Sequence, residues 1–163
     1  MGIEDLIFRL IGVNRLAVTI EQGKPSQASL EDLQKLLEDS TDSIKAVSGE
    51  LPYEVYGADG LVEVIEEAIK DRGVTVEVVV GKDADEKSLA RLVSVGGLVY
   101  QLDGWPPVHF VIVDGEDVRL EEPHIRGAKK RTSYTIDNFK NAKEWELRFE
   151  QIKEQAKPWT ESC

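Results

Sequence analysis

A single cysteine, Cys163 at the last position, rules out a disulfide within the chain and fits a reducing compartment. Histidine is nearly as scarce: His109 and His124 are the only two imidazoles available for acid–base work or metal ligation near neutral pH. No apolar run approaches the roughly 20 residues of a membrane-spanning helix. No basic stretch followed by an apolar core opens the chain, so a secretory leader is not expected and the expected address is cytoplasmic. Positive charge is in short supply, with 20 basic residues against 31 acidic ones and a formal charge of −11. That balance opposes general attraction to nucleic-acid phosphates or anionic lipid.

Enough is present for one domain with a buried core: 163 residues, 41% of them apolar. In "GIEDLIFRLIG", Ile3, Leu6, Ile7, Leu10 and Ile11 recur at helical spacing, and "RLAVTI" (15–20) reads as a strand. Ser29 with Asp32 resembles a capping box opening a helix through Leu30, Leu33, Leu36 and Leu37. "SIKAVS" (43–48) is the next strand. In "DGLVEVIEEAIKDRGVTVEVVVG", Leu61, Val64, Ile65, Ala68 and Ile69 line one helical face. Gly73 supplies the left-handed stop, and Val74–Val80 is apolar enough for a central strand. A helix around Glu86–Val93 leads through Gly96–Gly97 into "LVYQL" (98–102). A last helix is expected from about Phe139 to Lys157, with Ala142, Trp145, Phe149, Ile152 and Ala156 as a narrow seam for the core or a second subunit. Strands alternating with helices predict an α/β sandwich with some parallel pairing.

"PPVHFVIVDGEDVRLEEPH" (106–124) carries both histidines and reads as a hairpin turning at Asp114, Gly115 and Glu116. An even-numbered loop places His109, Val111 and Val113 on one face with Val118, Leu120 and Glu122, and His124 joins them if the strand continues. A three-residue loop undoes this. Gathered together, His109, Glu122 and His124 are a candidate metal set with one position open for water. The plainer reading is a hydrogen-bonded histidine at a strand end. Asp103, Trp105 and Pro106–Pro107 form a rigid lead-in, and an exposed Trp105 is a candidate stacking surface for a ligand. The one basic cluster, "RGAKKR" (126–131), reads as a solvated loop.

In order and interval, these segments resemble the phospholipase D superfamily over roughly Leu30–Trp159. "IKAVSGELPYEVYG" with "VIEEAIKDRGVTVEVVVG" is similar to that family's first strand, long helix and turn into the next strand. "HFVIVDG" is similar to the core strand of its catalytic motif, and "FEQIKEQAKPW" to its C-terminal helix. The resemblance implies a phospholipase D-like mixed sheet flanked by helices, with residues 1–28 as an N-terminal helix-and-strand extension and 29–163 as the domain. The family's H-x-K-(x)4-D-(x)6-G-S-x-N motif supplies a nucleophilic histidine and phosphate-binding lysine and asparagine. Anchored on Asp114, it puts Pro107 at the histidine position, His109 at the lysine and Glu121 and Glu122 at glycine and serine. His124 falls at the asparagine. Proline offers no nucleophile, and Glu122 would repel phosphate at low dielectric. Slipping the register by two puts His109 on the nucleophile but Val111 on the lysine and breaks the spacing to Asp114.

Three expectations follow. The first is a non-catalytic binding or regulatory module, with His109, Glu122, His124, Asp114 and Trp105 as ligand-binding candidates and no cofactor. Its unidentified ligand is a small molecule or a protein, and single-motif relatives imply a homodimer. The second is a hydrolase of altered chemistry using His109, Glu122 and His124, with or without a metal. The third, nucleic-acid binding through Arg126, Lys129, Lys130 and Arg131, is disfavoured by the −11 charge and by the lack of interleaved aromatics.

Overall fold

"SIKAVS", "TVEVVV" and "HFVIV" carry apolar residues on both strand faces because each runs inside a sheet covered on both sides. The computed structural model describes residues 15–21, 27–50, 61–106, 108–121, 130–137 and 139–161. Along the chain these form β1 (Arg15–Glu21), α1 (Gln27–Glu38), β2 (Ser43–Ser48), α2 (Leu61–Arg72), β3 (Thr75–Val80) and α3 (Glu86–Ser94). Then come β4 (Leu98–Gln101), β5 (His109–Val113), β6 (Asp117–Glu121), β7 (Lys130–Asp137), α4 (Phe139–Lys153) and β8 (Lys157–Pro158). The described strands make one mixed sheet in the order β1-β7-β6-β5-β2-β3-β4-β8. Only β2–β3 and β3–β4 pair in parallel. Their crossovers carry α2 and α3.

Each face has its own core. On one, Leu33 and Leu37 of α1, Leu61, Ile65 and Ala68 of α2, and Leu89 and Leu92 of α3 pack on Ile44, Val76, Val78, Val99 and Val113. On the other, Ala142, Phe149 and Ile152 of α4 pack on Val47, Val79, Phe110, Ile112, Val118 and Leu120. The narrow seam of the last helix therefore docks on its own domain. Asp85 caps α3, its carboxylate accepting the Ser88 N–H at 2.9 Å. Gly73 ends α2 at φ +68°, and the Val74 N–H closes back on the Ala68 carbonyl at 2.9 Å. Beside it, the Arg72 guanidinium donates to the carbonyls of Leu37 and Glu38, supplying partners for the exposed end of α1.

Several expectations need correction. The last helix stops at Lys153 rather than near Lys157, because Lys157–Pro158 pairs with Tyr100 and Gln101 as β8. Lys130 and Arg131, read as part of a solvated loop, begin β7, whose eight residues bridge β1 and β6. The N-terminal helix expected around Ile3–Ile11 lies outside the described residues, as do Pro107, Glu122, His124, Arg126 and Lys129. Of the N-terminal extension, β1 joins the same sheet through β7. Among the described residues, no helix is long and apolar enough to cross a membrane.

Candidate functional site: the strand-end crevice

The parallel strands β2, β3 and β4 end together at Ser48, Val80 and Gln101. In open α/β sheets the crevice beyond such carboxyl ends is where ligands bind. Antiparallel β5 starts at this same edge, so its first residue, His109, enters the crevice while its last, Val113, lies at the opposite end of the sheet. His109 is buried at 7% exposure.

The hairpin register differs from the sequence expectation. Val113 pairs with Asp117 and His109 with Glu121, leaving the three-residue loop Asp114-Gly115-Glu116. Asp114 and Gly115 have φ of +56° and +65°, and the Glu116 N–H donates to the Val113 carbonyl at 3.0 Å. One extra loop residue moves every β6 side chain to the other face. The face of His109, Val111 and Val113 is thus shared with Asp117 and Arg119, while Val118 and Leu120 turn to the α4 core. The parity that gathered Glu122 and His124 beside His109 loses its basis. Among the described residues no group of three or more His, Cys, Asp or Glu side chains is placed to hold a metal.

Arg119 takes the place that the other parity gave to apolar residues. It is 5% exposed and sits across from Val111 on the α1 side of the sheet. With Leu33, Ala46, Ser48, His109 and Val111 it lines a small pocket on this face. The surrounding fold engages both Arg119 and His109 through further interactions. Sequence reasoning missed Arg119 because a charge between Val118 and Leu120 reads as a solvent-facing position. The signal available was "HFVIV" itself: a strand apolar on both faces means that its neighbour's polar face is covered too.

Trp105 lies beside the strand ends, its ring centroid 5.4 Å from that of His109 at an interplanar angle of 47°. Gly49, just past β2, has only hydrogen on the side where the indole rests: a Cβ there would stand 2.6 Å from Trp105 Cη2 and Cζ2. Asp114 is brought nowhere near this site. Its carboxylate accepts the backbone N–H groups of Thr41, Asp42 and Ser43 and the Thr41 hydroxyl at the far end of the sheet. Burial raises the Asp114 pKa, but those hydrogen bonds together outweigh it and hold the carboxylate below its ordinary range.

This architecture is the phospholipase D fold. Nuc from Salmonella typhimurium, a phospholipase D family member, superposes with a TM-score of 0.68 over 91% of this chain and 99% of its own, at 15% identity. NucT from Helicobacter pylori gives 0.65 over 90% of this chain and 100% of its own, at 11% identity. TrmBL2, an archaeal chromatin protein whose structure shows a novel mode of DNA binding, gives 0.65 over 96% of this chain at 19% identity, and this chain spans 59% of it. Neither protein-family profiles nor the curated proteins match this sequence.

Proposed function

We propose that this chain is a non-catalytic phospholipase D-fold module that binds a ligand or partner at the carboxyl ends of its parallel strands. One observation carries the reading. β5 delivers to the crevice a single imidazole, His109, five residues before Asp114, the spacing at which the fold's enzymes use a lysine rather than their nucleophile. Two residues earlier, where those enzymes attack phosphorus, the sequence has Pro107. What remains suits recognition: a buried imidazole, a buried guanidinium, an aromatic ring and apolar walls. The same module pairs as a homodimer, as the single-motif relatives do. The TrmBL2 neighbour suggests nucleic acid, but a formal charge of −11 opposes it for this domain.

The reading is tested by screening small acids, phosphate esters and sugars against isotope-labelled protein by amide NMR. A ligand that shifts the amides of Ser48, Trp105, His109 and Arg119 without being consumed supports it. Ligands that act only elsewhere on the surface contradict it.

A further inference from the structure

We propose that β1 is a dimer interface: two copies of this chain join their β1 edges antiparallel about a two-fold axis through Val18. This rests on the homodimer of the reading above, whose surface it names, and needs nothing of the crevice.

The two edges of the described sheet differ. β8, at one edge, is two residues long, and its Pro158 has no N–H to offer. So short an edge ending in proline resists further pairing. β1, at the other edge, runs seven residues, "RLAVTIE", without glycine or proline. Its ladder with β7 is unbroken from Arg15 to Glu21. Such a ladder turns the N–H and C=O of alternate residues away from the partner strand, and among the described strands none takes up that outer row.

The sequence of β1 suits its own reverse. About Val18, an antiparallel second copy sets Leu16 opposite Ile20, Ala17 opposite Thr19 and Arg15 opposite Glu21. Positions directly opposite share a face. Leu16, Val18 and Ile20 of both copies therefore form one apolar strip across the axis, and the other face has an Arg15–Glu21 match at each end. β7 does not continue that strip, since it sets Thr135, Ser133 and Arg131 opposite Leu16, Val18 and Ile20. Other registers lose the match. A one-residue slip sets Leu16 against Glu21, and a parallel in-register partner sets Arg15 against Arg15.

Sedimentation of the full chain over a concentration series at low salt reads the dimer and its midpoint. Arg15→Glu sets like charges opposite each other at both ends, and Glu21→Arg does so with the other sign. Each is expected to weaken the dimer roughly tenfold. Mixed one to one, the two variants bring unlike charges together at every end, so the mixture should return to the wild-type midpoint. A folding defect in either variant would not be cured by mixing. Glu21 also stands opposite Lys130 within the chain. If Glu21→Arg fails to fold for that reason, Val18→Lys and Val18→Glu give the same pattern on the axis, weak alone and restored together. A dimer that these substitutions leave unweakened, or weakened variants that stay apart when mixed, overturns the β1 interface and leaves the homodimer standing. A wild-type monomer at every concentration overturns both, while the crevice reading keeps its own NMR test.

Discussion

Asp114 Oδ1 accepts the Asp42 backbone N–H at 2.7 Å, tying the β5–β6 turn to the residue before β2. Thr41 and Ser43 donate to the same carboxylate, and the Asp114 N–H returns a bond to the Ser43 carbonyl at 2.8 Å. Asp114 here fastens the turn at the end of the sheet remote from the crevice.

Removing that carboxylate should cost stability and leave the crevice intact. Asp114→Ala strips three backbone donors of a charged partner, and the expected loss is about 1–3 kcal/mol, read as a lower urea midpoint with an unchanged slope. Equal midpoints would mean that these bonds contribute nothing net.

The same carboxylate sets an acid limit. Its folded pKa lies below the ordinary value of about 3.9, so the stabilisation is complete above that value and is lost as pH falls through the folded pKa. Wild-type stability should therefore fall more steeply than that of Asp114→Asn below pH of about 4. Parallel curves would contradict the assignment.

Charge also pins α4 to the sheet. Lys153 bonds to Glu77 of β3 and lies 3.7 Å from Glu150, while Lys45 of β2 reaches Glu146 at 3.4 Å and Glu150 at 3.5 Å. The bond to Glu77 holds the Lys153 pKa above the ordinary lysine value, against burial, which lowers it. A raised pKa gives stability that is complete below about 10.4 and is lost as pH climbs through the folded value. Lys153→Met should destabilise by about 1–3 kcal/mol by stranding the Glu77 carboxylate. Adding Glu77→Gln should recover part of that loss in a double-mutant cycle. A purely additive double mutant would show that the pair is not coupled.

How much the sequence revealed depends on how far each side chain's neighbours could be inferred from periodicity. Helical faces such as Leu61, Ile65 and Ala68 were legible because one apolar stripe meets one core. β7 was not, since "KRTSYTID" mixes charged and polar residues, although the chain puts it between two strands. The hairpin strands were legible and their register was not: one loop residue decides which face β6 presents, and composition does not count loop residues. The site inherited that error. His109 was visible as a rare residue at a strand end, Arg119 was hidden by the wrong parity, and Trp105 could not be placed over Gly49 without coordinates.

Metal binding is open to direct measurement. Among the described residues no three His, Cys, Asp or Glu side chains converge to hold a metal. Purified protein after dialysis is therefore expected to hold less than stoichiometric zinc, with the same melting temperature before and after chelation. Stoichiometric metal lost in His109→Ala would support a metal-assisted hydrolase instead.

The most direct test of the central claim is turnover itself: excess protein incubated with bis(p-nitrophenyl) phosphate and with plasmid DNA, with and without divalent metal, beside His109→Ala. A binding module leaves both substrates intact, and the variant matches the wild type. Release of p-nitrophenol or nicked DNA by the wild type, abolished in His109→Ala, would make the chain an enzyme with His109 in its machinery.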